Sequence, residues 1–458
     1  MLSAEAAVLS RKLVRSWLRT TDPEETGEVY AGLRGAGPLV RAPWGALLVP
    51  GHRDVRQGLV DPALVMLDAP WRDVHTPGWR GSAATEALCG SLLMQNPPEH
   101  PVNRRPLVAA LTARSVALLG DPIREQVSAA VAEFIGVLRR DRTADLIGDL
   151  CKRLPAEVLC RLTGLPEQEA GRLAELATVI STGGEIRRPV EELAVADRSA
   201  EELLCLLARF TARRDASVRP EPELPSRISP FSSGQLFVMK VAGLFTTTHL
   251  LGNLCDRLLD MTVGAQRKAT APEGRGPLIE ETLRWDPPVK LATRRAERRT
   301  VLGGSEVPAG TVLHLMVGAA HRDPACWPDP DVFEPDRDHR PGFPFGQGAH
   351  FCPGAALARA QAEAFLESFA EHLPAVRREG PTVRRPGPSF TEPVTLPVSL
   401  RSTAPRTTAL PPTPRPAASL LPAPHPTAAP PTPHPTALRP ARTVASTAVR
   451  PLTEDSDG

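Results

Sequence analysis

Between residues 324 and 353 the chain carries Pro324, Pro328, Pro330, Pro335, Pro341, Pro344 and Pro353. Proline fixes φ and removes a backbone donor, so neither a helix interior nor a paired strand can run through that spacing. The segment 323–349 must therefore be coil. Coil of this length between patterned segments is uncommon and usually functional. It ends in Phe345-Gly346-Gln347-Gly348-Ala349-His350-Phe351-Cys352-Pro353-Gly354, and an amphipathic helical pattern, Ala355 to Leu373, follows directly. Any fold open to this chain has to fix a long irregular segment firmly enough to present one cysteine at the start of a helix.

A second group of prolines has a different meaning. Of the 51 prolines in 458 residues, 14 lie in residues 403–458, which contain no Phe, Trp or Tyr. Such a segment cannot bury enough apolar surface to offset the entropy of ordering it. Residues 403–458 are expected to be a disordered Pro/Thr/Ala-rich tail, and residues 1–402 a single domain. The net charge of +2 lacks the basic excess of a nucleic-acid binder. Residues 1–20 carry Glu5, Arg11, Lys12, Arg15 and Arg19 and no signal-peptide core. The longest apolar region, Leu236 to Leu251, is broken by Lys240 and His249, so no membrane span is expected. The seven cysteines are scattered and form no C-x-x-C pair, which argues against a disulfide framework or zinc cage and for a reducing, cytoplasmic setting.

The hydrophobic period gives the rest of the architecture. Pro38 to Pro50 reads as two short strands around Trp44-Gly45. Val127–Leu138, Asp145–Leu162, Glu167–Ile180 and Val190–Arg213 read as helices, with Pro155 kinking or dividing the second. Residues 214–230 read as a loop, and 234–261 as one long, mostly apolar helix that belongs in the middle of a large domain. From Val289 to Met316 the period shifts toward two, with turns at Gly303-Gly304 and Ala309-Gly310. The expected class is mainly α with a small β-sheet region (α+β).

At Cys352 the helix start favours a thiolate, and the flanking glycines let backbone N–H groups approach the sulfur. One thiolate offered in this way suits one axial bond to haem iron. A buried cysteine in a Gly-rich turn is the plain alternative. A nucleotide loop is weaker, because Gly346-x-Gly348 lacks a third glycine and a preceding strand.

Phe345-x-x-Gly348-x-His350-x-Cys352-x-Gly354, followed by Leu357-Ala358-Arg359, resembles the haem-binding signature of the cytochromes P-450. Glu281-Thr282-Leu283-Arg284, followed by Pro287-Pro288, is similar to the family's Glu-x-x-Arg helix. Asn96-Pro97-Pro98-Glu99-His100, with Arg104 and Arg105, is similar to its helix over one haem edge. The resemblance runs from about residue 10 to residue 402 and implies a single large domain of the P-450 fold. It implies haem b (iron protoporphyrin IX), with Cys352 as the metal ligand, held between the central helix and the cysteine loop. It implies that Phe345, Gly348 and Gly354 shape that loop, and that His100, Arg104, Arg294 and His350 are propionate partners. It also implies a buried charge cluster of Glu281, Arg284 and Arg337. Pro106 departs from the pattern and is expected to kink the helix carrying Arg104.

Val241-Ala242-Gly243-Leu244-Phe245-Thr246-Thr247 aligns with the family's central-helix motif. Ala242 and Gly243 are expected to make room for dioxygen, and Thr246 to hydrogen-bond it. Phe245 stands where the family usually has an acid, and a phenyl ring cannot carry a proton. Thr246 with water, a substrate hydroxyl or amine, or a reaction specialised for coupling or ring formation are the ways left open. Val238, Val241, Ala242, Phe245 and Thr246 share one helical face. With Val289, Leu291, Ala292 and Val394 they form the expected pocket. Lys240 falls off that face, as a surface or inter-helix residue. Segments Val65–Met94 and Leu173–Pro189 are expected lids.

The implied activity is a haem-thiolate monooxygenase. It uses dioxygen and two electrons to hydroxylate, or oxidatively couple or cyclise, a mostly apolar small molecule of secondary metabolism. No flavin or nicotinamide motif is seen, so the implied partners are a ferredoxin and its reductase, with Arg105 and Arg359 as candidate docking residues. A haem-binding homologue without turnover, acting as partner or sensor, is the alternative that Phe245 keeps open.

Overall fold

The central helix, Ser233–Asp260, is the axis of the molecule. Leu236, Phe237, Val241, Leu244, Leu250, Leu251, Leu254 and Leu258 are buried on all its sides, as an apolar-all-round helix requires. Helices Arg153–Thr163, Ala170–Ser181, Val190–Ala216, Pro272–Trp285 and Ala355–Phe369 pack around it. The computed structural model describes residues 4–181, 190–216, 233–340, 342–390 and 392–401, all within one compact unit, Met1–Thr403. The expected tail 403–458, most of the 214–230 loop and residues 182–189 of the second lid lie outside the described residues.

The architecture is mainly helical with small sheets, in agreement with the expected class. The largest sheet has five strands in the order Val40–Arg41, Leu47–Val49, Val312–Leu315, Ala292–Ala296, Leu64–Val65. Arg294 pairs with Leu313 in an antiparallel register, and Leu48 pairs with His314 in a parallel one. Thr143–Asp145 joins the far C-terminal strands Pro397–Leu400 and Val376–Arg378 in a three-stranded sheet. Thr300–Leu302 pairs Ser305–Val307, and Val383–Arg385 pairs Glu392–Thr395.

Three local expectations are refined. The helix expected over 145–162 is two pieces, a π-turn at Ile147–Cys151 and a helix at Arg153–Thr163. Pro155 sits in the first turn of the second piece, where its missing N–H has no intrahelical partner to lose. Pro106 lies inside the continuous helix Glu99–Ala110. The carbonyl it leaves without a donor belongs to Val102, an exposed residue. Two N-terminal helices, Ala4–Trp17 and Pro23–Gly35, were not visible in the periodicity.

Candidate active site

The proline-rich coil is held in place by buried charge. Glu281 is fully buried, and Arg284 is 2% exposed. The Arg284 guanidinium donates to both Glu281 oxygens, at 2.7 and 2.8 Å. It also donates to the carbonyls of His321, Pro330 and Val332 at 2.9, 2.7 and 3.1 Å. Arg337 donates to Glu281 Oε1 at 3.2 Å and to the carbonyls of Pro328, Asp329 and Val332. The three expected members therefore meet, and the carbonyls they collect are those a proline-rich coil cannot satisfy within itself. His339, whose Nε2 lies 2.9 Å from Glu281 Oε2, is a fourth member that sequence reasoning missed. Arg322, which stands outside that cluster and binds the Trp285 carbonyl and Asp331, was missed as well. Neither stands at a spacing that marks it.

The coil delivers Cys352 half-buried before the helix Ala355–Phe369. The Cys352 N–H donates to the Phe345 carbonyl at 2.9 Å, which closes the loop. Gly346 and Gly348 both have positive φ, 70° and 71°. A Cβ on Gly348 would lie 3.0 Å from the Leu59 carbonyl oxygen. Phe345 lies under the Arg359 guanidinium, 4.4 Å from the ring centroid. Arg359 is 40% exposed at its side chain and bound to Glu280 at 2.6 Å. Burial raises the Cys352 thiol above its usual value, while the Gly354 N–H, Arg104 and Arg359 pull it down.

Four donors gather beside this loop. The His100 and His350 rings lie 4.1 Å apart, and an Arg104 Nη donates to the Phe351 carbonyl. Burial pushes Arg294 down to about 10. Its guanidinium donates to its own neighbour's carbonyl, Thr293 O, at 2.9 Å, and no carboxylate pairs with it among the described residues. The charges of Arg294 and Arg104 both act on His100 and on His350, and with burial they lower both imidazoles, His350 to about 3. His100 Nε2 is buried without a hydrogen-bond partner among the described residues. A buried cation and an orphan imidazole nitrogen with no acid nearby are what a dianionic group would complete. The donor set fits a porphyrin bearing two carboxylates, with one sulfur for its metal.

On the central helix, Thr246 Oγ1 donates to the Ala242 carbonyl at 2.7 Å. Ala242 and Thr246 share a half-buried face. Gly243 turns elsewhere: a Cβ there would be 3.2 Å from Leu159 Cδ1, so the glycine permits close packing on the helix Arg153–Thr163. Phe245 is 3% exposed. It packs between His249 and Phe390, with ring centroids 4.0 and 5.1 Å away. Val238 and Val241 are core residues, and Ser181 donates to the Val241 carbonyl at 3.3 Å. Val289 and Val394 are half-buried, and Ala292 packs on the sheet cluster around Leu313. Leu291 does not join them. It is buried with Trp17, Tyr30, Leu48 and Met316, because strand alternation turns it away from the face carrying Ala292 and Arg294. Lys240 is an inter-helix residue, fully buried, with Nζ 3.0 Å from Thr163 Oγ1.

Comparison with known proteins gives the family and the fold. The family model described as Cytochrome P450 matches residues 277–375. Cyclomarin C epoxidase CymV of Salinispora arenicola (strain CNS-205) is 32% identical over 343 residues, spanning 72% of this chain and 84% of that protein. Cytochrome P450 monooxygenase PikC of Streptomyces venezuelae is 32% identical over 375 residues, spanning 77% and 84%. The crystal structure of P450BioI, in complex with an acyl carrier protein ligated to hexadec-9Z-enoic acid, superposes with a TM-score of 0.74. At 22% identity it covers 82% of this chain and 99% of that one.

Proposed function

This chain belongs to the cytochrome P450 family and is a haem-iron monooxygenase; from that premise we propose that it oxidises a mostly apolar secondary metabolite. Cys352 is the metal ligand in this reading, with electrons from a ferredoxin and its reductase. The bound haem supplies dioxygen activation. The protein's residues supply everything that positions it. Arg294, Arg104, His100 and His350 neutralise and hydrogen-bond the two carboxylates. The Glu281–Arg284–Arg337–His339 cluster keeps the cysteine loop at one distance from the central helix. Ala242 would leave space beside the bound group, and Thr246, whose Oγ1 donates to the Ala242 carbonyl at 2.7 Å, would offer its hydroxyl to a water or to dioxygen on that half-buried face. Val238, Val241, Val289, Ala292 and Val394 offer the substrate a largely apolar wall. The curated relatives named above are a cyclomarin C epoxidase and a P450 monooxygenase, and this chain is read as acting on molecules of that general kind. Among the described residues no single helix is long and apolar enough to cross a membrane.

The observation that carries the reading is the buried Arg294 guanidinium with no carboxylate, next to the orphan His100 nitrogen and the cysteine loop. The test is spectroscopic. Wild-type protein, reduced under carbon monoxide, is expected to show the thiolate-ligated band, and Cys352→Ser to lose it while remaining folded. Arg294→Leu is expected to lower haem retention at unchanged Cys352 ligation. A wild type that binds no haem, or a Cys352→Ser variant with an unaltered band, overturns the reading. Screening candidate metabolites for a high-spin shift, followed by turnover with a surrogate ferredoxin system, then identifies the substrate.

A further inference from the structure

Residues 67–81 are scarcely attached to the body they lie on. Trp79 is the only buried residue among them, the helix Ala69–His75 buries none, and Val74 is 73% exposed. The segment is instead tied to itself. Asp73 accepts the Trp79 Nε1–H at 2.9 Å and two Arg80 N–H groups at 3.0 and 2.9 Å, and the Arg80 guanidinium lies 4.4 Å from the Trp79 ring centroid. A segment with few buried apolar contacts belongs to the low-stability part of a fold, and one bound to itself can move as a body.

Its two ends are held differently. At one end Asn96 pairs with the backbone of Met66: its Oδ1 accepts the Met66 N–H at 2.8 Å, and its Nδ2 donates to the Met66 carbonyl at 3.1 Å. The same Nδ2 donates to Asp68 Oδ2 at 2.6 Å, and an Arg295 Nη stands 3.6 Å from Asp68 Oδ1. This end also continues the strand Leu64–Val65, which pairs with Ala296 and Arg295. At the other end a single carboxylate oxygen does the holding. Asp197 Oδ1, on the helix Val190–Ala216, accepts the Ser82 hydroxyl at 2.6 Å and the Ala84 N–H at 3.1 Å. Ser82 caps the seven-residue helix Ala83–Cys89. That helix brings three alanines, Ala83, Ala84 and Ala87, and Leu88 to the cluster it packs on, and it is too short to persist unsupported.

The seated position also leaves groups unmet. Trp71 Nε1 and Arg72 Nε are buried without hydrogen-bond partners among the described residues. Water satisfies both once the segment lifts, so these donors favour opening while the two ends oppose it. The Asn96 end is built on the elements that carry the site. The Asn96 carbonyl accepts the His100 N–H at 3.0 Å, and Arg295 follows Arg294 in the strand Ala292–Ala296. We propose that residues 67–81 are a strap beside the His100–Arg294 edge of the site, hinged at Asn96 and caught by Asp197, and that its release opens a way in for substrate. The hinge is the end with more bonds and a strand behind it. The catch is the end where loss of one carboxylate frees both a side chain and a helix start. The inference rests on the reading of the site given above.

The test uses the haem-loaded protein and three variants, Asp197→Ala, Ser82→Ala and the double variant. Amide hydrogen exchange in residues 67–81 is expected to quicken roughly tenfold in Asp197→Ala, with exchange in the central helix unchanged. Ser82→Ala is expected to do the same, and the double variant to add little, since both changes remove one contact. Phenylimidazole, followed by its shift of the haem band, is expected to bind faster in the same proportion. Carbon monoxide, small enough to enter past a seated strap, is expected to bind at the wild-type rate. Unchanged exchange in residues 67–81, equal quickening along the whole chain, or additive effects in the double variant would each overturn the catch. Quickened exchange with an unchanged phenylimidazole rate would overturn the role in substrate entry. A wild type that binds no haem removes the functional reading instead, and the exchange measurement still decides the catch.

Discussion

At the scale of single residues, buried charge is either heavily paired or scarcely paired, and the two cases predict opposite responses. Lys240 is fully buried with Thr163 Oγ1 as its hydrogen-bond partner, and desolvation lowers it to about 8. The unfolded chain, with an ordinary lysine near 10.5, binds the extra proton between these values. Stability from this residue therefore rises as pH goes from 8 to 10.5, and at pH 7 the buried ammonium is a net cost. Lys240→Met is expected to raise Tm at pH 7, by up to about 3 kcal/mol in stability less the lost hydrogen bond, and to flatten the rise above pH 8. Thermal unfolding of both proteins at pH 7, 8 and 9 checks it. Glu281 is the reverse case, with two arginines and a histidine on one carboxylate. Glu281→Gln leaves those cations buried and short of charge, which costs about 3–5 kcal/mol. It is expected to lower Tm and the haem-to-protein ratio together. Glu281 and Arg284 were legible through the family resemblance, because a Glu-x-x-Arg spacing by itself only puts the pair on one helical face and is usually a surface pair. His339 and Arg322 were not, because a coil has no period by which a residue can be placed.

At the scale of elements, the coil that presents Cys352 depends on two left-handed glycines, and the structure separates their roles. Gly346 has φ of 70°, and a Cβ there would meet nothing nearer than 3.8 Å. Gly348 has nearly the same φ but backs onto the Leu59 carbonyl at 3.0 Å. Gly346→Ala therefore carries only the left-handed penalty, about 1–2 kcal/mol. Gly348→Ala adds a clash with backbone that a side-chain rotation cannot relieve. Both variants are expected to fold by circular dichroism, with Gly348→Ala losing more haem on gel filtration. Equal retention would show that the loop shifts freely past Leu59. The coil itself was legible because six prolines within 323–349 forbid regular structure, and the central helix because its apolar run is long. The three-stranded sheet was not, because Thr143–Asp145 finds its partner only at Pro397–Leu400, and strands this short carry no pattern. The place of Leu291 was missed for a related reason: the family resemblance marks a segment as pocket-lining, but strand alternation decides which of its residues face the pocket.

At the scale of the whole molecule, two buried charge networks hang from the same helix end. Glu281 and Arg284 fix the cysteine coil, while Asp286, just past the helix, binds Lys290 and Arg384. Arg384 reaches Asp256 on the central helix at 2.9 Å. The last turn of Pro272–Trp285 thus ties the proximal coil, the central helix and the C-terminal hairpin together. This gives the protein a two-stage response to acid. His249, His314 and His321 are held neutral by burial, to about 3, 4 and 3. His321 Nε2 accepts the Phe343 N–H at 3.0 Å, which it cannot do once that nitrogen is protonated. Below pH 6.5 the unfolded chain takes up these protons first, so stability falls by about 1.4 kcal/mol per pH unit for each such histidine. Glu281, Asp286 and Asp256 are shifted the other way, held below the usual carboxylate range by their cations. Their contribution is present above about pH 4.5 and is lost only as pH falls further. The expected Tm profile is flat near pH 7, falls through pH 6 to 5, and steepens below 4.5. His321→Gln separates the stages: it is expected to lower Tm at pH 7.5, because the Phe343 amide loses a well-placed acceptor, and to reduce the slope between pH 6.5 and 5. A variant whose slope equals that of the wild type would show that the coil leaves its seat before His321 is protonated.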